Sequence, residues 1–232
     1  TKGLVFTEVG PGFLWECESL TRFDTRCLTS LRRIDDGFLW GCSRLTAIDT
    51  SGLTQVTRIG NDFLASCYGL TALDATHLAQ VREVGASFMK STPVKAIDVH
   101  FLNQLTAVGE YFLSGTGIAT FDTSGFTGIK LADAHAFLWA CPNLTSVDTS
   151  GLRGQTILGT HFLSACMSLT TLDTRGLTSV TDIAYGFLRD CQKLTSIDTS
   201  NLAAVRHIGS SFLRGCTAMS TRLDLSASVG LR

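Results

Sequence analysis

Carboxylates recur along this chain at an almost constant spacing, and they are the residues whose chemistry has to be considered first. Nine Asp residues close nine similar short runs: Asp24, Asp49, Asp74, Asp98, Asp122, Asp148, Asp173, Asp198 and Asp224. Oxygen ligands of this kind suit Ca²⁺, whereas a backbone N–H two residues further on can hold the same carboxylate in an Asx-turn. Because no copy supplies a complete set of cation ligands, we expect Asx-turns and keep calcium binding as the alternative.

The other residues that could support catalysis do not form a constellation. The string Asp-Thr-Ser-Gly, which begins at Asp49, Asp122 and Asp148, resembles the D-T-G motif of aspartic proteases, but the extra Ser breaks that motif. The His residues occupy different places in their copies, so they line up neither as a metal site nor as a proton relay. They are His77, His100, His135, His161 and His207. We therefore predict no catalytic residue, no metal site and no cofactor, and we expect that the chain is not an enzyme.

Cysteines form a second recurring column. Seven of the eight stand four residues after a repeated Phe: Cys17, Cys42, Cys67, Cys141, Cys166, Cys191 and Cys216. A Cys flanked by Phe and Leu at every recurrence is most simply an interior residue that behaves as a small hydrophobe. Stacked coils lie ~4.8 Å apart, but Cβ atoms that point the same way are too far apart for a disulfide. We predict free buried thiols, with a zinc site or a redox pair as alternatives.

All of these residues are positioned by one internal repeat. The Phe of a Phe-Leu or Phe-Met pair recurs with a period of 25 residues, except for one step of 24, at Phe13, Phe38, Phe63, Phe88, Phe112, Phe137, Phe162, Phe187 and Phe212. One copy cannot bury its apolar residues alone, so only stacked neighbours can form the core. The 232 residues therefore predict a single elongated domain, residues 1–232.

The stretch from Cys42 to Cys67 shows what one copy contains. Residues 45–49 and 56–60 are short runs rich in Thr, Val and Ile, which predicts two strands joined by a Ser-Gly turn. Residues 62–67 are expected to make one tight helical turn that carries Phe63 and Leu64 inward. The fold class that follows is a repeat solenoid: a right-handed coil, mainly β with short helical or 3-10 turns, of about nine 25-residue coils.

The middle of the array departs from this pattern. Thr92 and Thr116 stand where other copies have Cys, and one residue is deleted before Asp98 and Asp122. The span 122–137 then gains one residue, and Gln155 replaces the usual Val of the next coil. We expect a local change of curvature or an exposed loop around residues 88–137.

Charge and hydropathy narrow the range of partners. The net charge is −1, from 19 basic and 20 acidic residues, and the basic residues do not gather into a stripe, so nucleic acid is a poor candidate. No apolar run approaches the ~18 residues of a membrane span, and no signal peptide is visible. We expect that the chain is a piece of a longer protein and that uncapped ends could associate end to end.

The repeat pattern C-x-x-L-T-x-L-D-T-S-x-L-x-x-V-T-x-I-G-x-x-F-L-x-x-C resembles the BspA-like (Treponema pallidum type) leucine-rich repeats and the related repeat of mycoplasma lipoproteins. The resemblance extends from about Phe6 to Asp224. It departs at the Phe-Leu pair, where the BspA-like repeats have Ala-Phe, and at Thr-Ser-Gly after the Asp, where Pro is frequent. The resemblance implies display at a cell surface or secretion, and binding of a protein, often from a host or the extracellular space.

Three Trp residues are the best candidates for such contacts. Trp15, Trp40 and Trp139 stand two residues after the repeated Phe, a position taken elsewhere by Ala65, Lys90, Ser114, Ser164, Arg189 and Arg214. A position that accepts Lys and Arg faces outward, and exposed aromatic residues are enriched in binding hot spots. The alternative is that the Trp rings shield Phe and Leu at the edge of the coil.

The irregular coils are the second expected contact region, and they add Lys90, Lys95 and Tyr111 to the predicted partner-binding residues. The predicted function is that of a non-enzymatic scaffold that binds a protein ligand. The alternative is a structural spacer or stalk with no ligand of its own.

Overall fold

The β-branched residues of the two runs in each coil produce short parallel strands. The computed structural model describes residues 6–97, 103–126, 128–129, 131, 134–220, 223 and 225. The strands in these residues are Glu8–Val9 (β1), Arg22–Asp24 (β2), Arg33–Ile34 (β3), Ala47–Asp49 (β4), Arg58–Ile59 (β5), Glu83–Val84 (β6), Ala107–Val108 (β7), Thr120–Asp122 (β8), Ser146–Asp148 (β9), Ile157–Leu158 (β10), Thr171–Leu172 (β11), Asp182–Ile183 (β12), Ser196–Ile197 (β13) and His207–Ile208 (β14).

Equivalent strands of successive coils pair in parallel and form two ladders. The V-T ladder joins β1, β3, β5, β6 and β7 in one sheet and β10, β12 and β14 in another. The L-T ladder consists of the pairs β2–β4, β8–β9 and β11–β13 and of a bridge between Leu73 and Ile97. The register advances by one coil per strand, so that Ile34 pairs with Ile59. The stacked β-solenoid predicted from the repeat is confirmed, with about eight turns.

The repeated Phe residues form a stack along the interior. Consecutive rings lie 5.4 to 6.0 Å apart between centroids and are nearly parallel. The seven internal rings are fully buried, whereas Phe13 and Phe212 at the two ends are only partly buried. Offset-stacked aromatic pairs add to the free energy of burial, so each coil shares its largest core residue with both neighbours.

The turn around each Phe differs from the helical turn that the sequence suggested for residues 62–67. Asp62, Leu64 and Ser66 have φ angles of 55°, 51° and 58°, which is the left-handed region. The same alternation occurs one residue before, one after and three after every repeated Phe, at twenty-one non-glycine residues and six glycines. The predicted helical turn is therefore wrong, although Phe63 and Leu64 do point inward and are buried.

Hydrogen bonding between coils gives the physical reason for this conformation. A right-handed helical turn directs its N–H groups along its own axis. In the alternating conformation, the N–H of Leu64 donates to the carbonyl oxygen of Phe38 at 3.0 Å, and the N–H of Ser66 donates to that of Lys90 at 2.8 Å. The turn thus bonds to the coils on both sides. The 3-10 helices of the described residues lie instead between the two strands of a coil, at Thr76–Leu78, Ser150–Leu152 and Ser200–Leu202.

The predicted irregularity in the middle of the array falls partly on residues 98–102, 127, 130 and 132–133, which lie outside the described residues. Gln155, which replaces the usual Val, is buried and bonds to the coil before it. Its Oε1 accepts the N–H of Leu131 at 2.8 Å, and its Nε2 donates to the carbonyl oxygen of Ile129. The Gln155 side chain therefore supplies hydrogen-bond partners to two backbone groups of the coil before it. Asp98 and His100 lie outside the described residues.

In the portion of the chain that the structure describes, no helix is long and apolar enough to cross a membrane.

Candidate binding surface along the Trp edge

The Phe turns of successive coils align along one edge of the solenoid. We call the nine segments that run from two residues before each repeated Phe to four residues after it the Trp edge. The side chain two residues after Phe is exposed for Trp15, Trp139 and Arg214 and half-buried for Trp40, Lys90 and Arg189, whereas the small residues of this column are buried. The structure thus places the large members of the column at the surface.

The first aromatic patch of the Trp edge is the pair Trp15 and Trp40. Trp15 is 54% exposed, and its ring centroid lies 4.9 Å from that of Trp40 in an edge-to-face arrangement. A Cβ added to Gly12 or Gly37 would lie 3.2 or 3.3 Å from Cε3 of Trp15. Part of the Trp15 ring therefore covers two glycines, while the rest faces solvent.

The second patch lies at the middle of the edge and contains three of the predicted contact residues. Nζ of Lys90 lies 3.9 Å from the centroid of the Tyr111 ring, which is a cation–π contact. The Tyr111 ring in turn lies 6.2 Å from that of Trp139. Lys95 does not belong to this patch, because it is exposed at the L-T ladder, where its N–H donates to the carbonyl oxygen of Thr71 at 3.1 Å.

A third patch near the other end of the edge escaped the sequence analysis. The rings of His161 and Tyr185 lie 5.1 Å apart, and Nη1 of Arg189 donates to the Tyr185 hydroxyl at 2.7 Å. Arg189 also forms an ion pair with Asp190 at 3.0 Å. Burial of the ring lowers the pKa of His161, and the charge of Arg189 adds to that effect, so the His161 ring favours its neutral form.

The Asp column forms the predicted Asx-turns. In each of the seven described copies, Oδ1 of Asp accepts the backbone N–H two residues further on, at 2.7 to 3.0 Å. The N–H of Ser51 lowers the pKa of Asp49, and the hydroxyl of Thr76 lowers that of Asp74. Among the described residues, no three His, Cys, Asp or Glu side chains cluster closely enough to hold a metal ion.

The Thr that follows six of the nine Asp residues has a role that was not predicted from the sequence. Thr149 is buried; its hydroxyl donates to the carbonyl oxygen of Asp173 at 2.8 Å and accepts the N–H of Gly176 at 3.1 Å. Thr25 and Thr123 make the same pair of bonds to the next coil. The recurrence of Thr immediately after Asp was the available signal for this Thr ladder.

The Cys column is interior and its thiols are free, as predicted. Sγ of Cys67 donates to the carbonyl oxygen of Leu39 at 3.1 Å, and five other members of the column bond equivalently to the coil before them. Burial raises the pKa of Cys67 to about 12, so the thiol remains a donor at neutral pH. The hydroxyl of Thr92, which replaces Cys, donates a hydrogen bond to the carbonyl oxygen of Leu64 in the same way. Cys27, outside the column, is exposed.

Solved structures with a similar chain path come from bacteria. The functional domain of InlJ from Listeria monocytogenes, described as including a cysteine ladder, is 18% identical with a TM-score of 0.44, over 82% of this chain and 46% of that one. A T. pallidum leucine rich repeat protein is 18% identical with a TM-score of 0.35, over 95% and 74%. A leucine-rich repeat protein from Bacteroides ovatus is 15% identical with a TM-score of 0.27, over 91% and 80%. The chain thus spans about half the length of the InlJ domain.

A comparison with curated protein sequences found no match. The family model of the BspA type leucine rich repeat region matches in six copies, over residues 5–95 and 134–229. Residues 96–133, between the two matched ranges, are not covered by the family model. Because the matched residues make up well over half of the chain, it belongs to the BspA type leucine-rich repeat family.

Proposed function

We propose that this chain is a non-enzymatic protein-binding scaffold, displayed at a cell surface or secreted, which contacts a protein ligand through the Trp edge. The observation that carries the proposal is the exposed Trp15 ring packed against Trp40. Large aromatic residues that remain exposed at an edge are enriched in binding hot spots. The family membership supports a scaffold whose surface residues, rather than a cleft, provide the function.

The central patch extends this surface along the same edge. Lys90, Tyr111 and Trp139 combine a cation with two aromatic rings, and Tyr and Trp are among the residue types enriched in protein interfaces. Lys95 belongs to the proposal as a separate contact at the L-T ladder, because its side chain is exposed there.

The test is a binding assay on an array of purified secreted and cell-surface proteins. The double variant Trp15→Ala with Trp40→Ala is compared with the unmodified chain and with Ile157→Ala, which truncates an exposed apolar residue away from the Trp edge. We expect a specific ligand of the unmodified chain to bind the double variant at least ~10-fold more weakly and to bind Ile157→Ala unchanged. Circular dichroism and urea midpoints show that the variants remain folded.

Two results contradict the proposal. A spacer or stalk would bind no protein on the array above background, and the variants would give the same result as the unmodified chain. Binding that survives loss of both Trp rings, but is lost in Ile157→Ala, would place the contact on the V-T ladder instead.

A further inference from the structure

One column of the Trp edge consists of the residue two positions after each repeated Phe. Read from the last coil to the first, this column is complementary to the same column read from the first coil to the last. From the first coil to the ninth it reads Trp15, Trp40, Ala65, Lys90, Ser114, Trp139, Ser164, Arg189 and Arg214. The three Trp residues occupy coils 1, 2 and 6, and the three cations occupy coils 9, 8 and 4. Counted from opposite ends, every Trp is thus matched by Lys or Arg, and every small residue by another small residue.

This order is what an antiparallel pairing of two identical edges requires. In a two-fold symmetric contact the same patch of both copies takes part, so each contact occurs twice. The two-fold axis would lie in the contact plane, perpendicular to the stack, at Ser114. It places coil 1 of one copy opposite coil 9 of the other, and each column of one copy then faces the same column of the other copy. Trp15 then faces Arg214, Trp40 faces Arg189, and Trp139 faces Lys90. The two copies of Ser114 meet on the axis.

The chain itself shows that a cation and an aromatic ring pack together on this edge. Lys90 lies over the Tyr111 ring at 3.9 Å, and cation–π contacts are strongest with Trp rings. Arg189 is already oriented by the Tyr185 hydroxyl and by Asp190. Within the described residues, the cation–π contact involves neither Trp15 nor Trp40, and the part of the Trp15 ring that is not covered by Gly12, Gly37 and Trp40 is open to a cation from outside.

The neighbouring column and the distribution of charge agree with the same pairing. One residue before the repeated Phe, Asp62 would face His161, and the two copies of Tyr111 would meet on the axis. Segments 11–17, 36–42 and 61–67 contain three acidic residues and no Lys or Arg, whereas the last two segments contain Arg189 and Arg214 and one acidic residue, Asp190. The first third of the edge is therefore complementary in charge to the last part.

We propose that the partner of the Trp edge is a second copy of this chain, bound edge to edge in antiparallel orientation about Ser114. The inference rests on the proposed role of the Trp edge as a protein-binding surface and gives that surface one specific partner. An edge of eight coil spacings is roughly 40 Å long, and one turn segment is narrow, so the contact is smaller than the ~800 Å² per partner of a standard interface. The dimer is accordingly weak, with a Kd on the order of 10 μM.

The experiment is sedimentation velocity of the unmodified chain from about 1 to about 200 μM in the presence of a thiol reductant, which prevents disulfide-linked dimers through Cys27. Trp15→Arg with Trp40→Arg puts cations at both ends of the edge, so we expect a monomer throughout. Arg189→Trp with Arg214→Trp is the matching variant. In an equimolar mixture of the two double variants, every Trp again faces Arg or Lys, and we expect a heterodimer at least as stable as the unmodified dimer.

A conservative variant tests the register without placing new bulk in the contact. Glu110, next to Tyr111, would lie close to its own copy at the axis, so Glu110→Gln removes a like-charge pair and is expected to lower the Kd two- to threefold, on the order of RT ln 2–3. The proposal is overturned by an unmodified chain that stays monomeric at the highest concentration, or by a mixture that fails to form the heterodimer while both variants are folded. Either result would overturn the dimer and not the proposed function. The proposed function is tested separately, by the binding of other proteins on the array.

Discussion

Each coil closes through two turns that are stabilised in different ways. The Phe-Leu turn, residues 61–66 in one copy, is held by backbone hydrogen bonds to the coils on both sides and by the buried Phe stack. The Asp-Thr turn, residues 49–53 in the same copy, is held largely by side chains: the Asx-turn of Asp49 and the hydroxyl of Thr50, which donates to the carbonyl oxygen of Asp74 at 2.8 Å.

The two kinds of turn tolerate variation to different degrees. The Phe-Leu turn keeps the same three left-handed positions in all nine copies, because a change of conformation would break bonds to two neighbours at once. The Asp-Thr turn is a 3-10 helix in some coils and an irregular turn in others. Side-chain bonds can follow small movements of the backbone, whereas a ladder of backbone bonds fixes the conformation of every copy.

Removal of one Phe from the stack is the most severe test of the Phe-Leu turn. Phe63 is fully buried between Phe38 and Phe88, and truncation of a buried Phe to Ala costs about 3–5 kcal/mol. We expect Phe63→Ala to lower the free energy of unfolding by this amount, measured by urea denaturation. Phe6→Ala, at a residue that is 39% exposed, serves as the control and should cost less than about 1 kcal/mol. Equal losses would show that the stack does not support the turn.

The Thr ladder is the corresponding test of the Asp-Thr turn. Thr149→Val keeps the shape of the side chain but leaves the carbonyl oxygen of Asp173 and the N–H of Gly176 without their partner. An unsatisfied buried polar group costs about 1–3 kcal/mol, so we expect a loss of about 2–3 kcal/mol in urea denaturation. Thr149→Ser retains the hydroxyl and should cost less than about 1 kcal/mol. Similar losses for Val and Ser would assign the effect to packing.

The Cys column couples the interior to the Phe-Leu turn, and substitution of Cys67 measures that coupling. The thiol donates to the carbonyl oxygen of Leu39, as the hydroxyl of Thr92 does to Leu64. We expect Cys67→Val to be less stable than Cys67→Thr by about 1 kcal/mol, because only Thr keeps a donor. If Val proves the more stable residue in thermal unfolding, the column is purely apolar and the carbonyl has no need of a donor.

The sequence predicted the features that arise from side-chain chemistry. The 25-residue period, two strands per coil, the interior Cys column and the Asx-turns all follow from residue types in fixed places. The left-handed conformation of the Phe-Leu turn did not follow from residue types, because Leu64 and Ser66 are residues that rarely adopt positive φ. The available signal was the recurrence of Gly in the two flanking columns, at Gly12, Gly37 and Gly186 and at Gly41, Gly115 and Gly215.

The candidate site was predicted in part for a similar reason. A column that accepts Trp, Lys and Arg indicates a surface, so the positions of Trp15 and Trp40 followed from the period. The patch of His161, Tyr185 and Arg189 did not, because these residues occupy three different columns of two coils and meet only when the turn conformation is known. Lys95 was grouped with Lys90 by its place in the irregular span, yet it lies at the L-T ladder.

The left-handed positions themselves can be tested by a stabilising substitution. Ala140 has a φ of 56°, and equivalent positions are Gly41, Gly115 and Gly215. A left-handed conformation costs an L-residue roughly 1–2 kcal/mol, and the greater freedom of unfolded Gly offsets about 0.5–1 kcal/mol of that. We expect Ala140→Gly to raise the stability by about 0.5 kcal/mol. Ala107→Gly, in strand β7, should lower it by about 0.5–1 kcal/mol; a loss at both sites would contradict the left-handed turn.

The smallest effect that separates the two turns is their response to acid. Bonds from Ser51, Thr76 and Ser200 lower the pKa values of Asp49, Asp74 and Asp198 below their ordinary value of 3.8. A carboxyl whose pKa is lower in the folded state contributes its full stabilisation above the unfolded pKa and loses it as the pH falls through the folded one. The melting temperature should therefore be constant above about pH 5 and fall by a few degrees toward about pH 3.

Two variants test the origin of that fall. Asp198→Asn should reduce it, because the side chain at position 198 no longer titrates. Phe63→Ala should leave the pH dependence unchanged and lower the melting temperature at every pH. A melting temperature independent of pH over this range would mean that the Asx-turns do not stabilise the Asp-Thr turn.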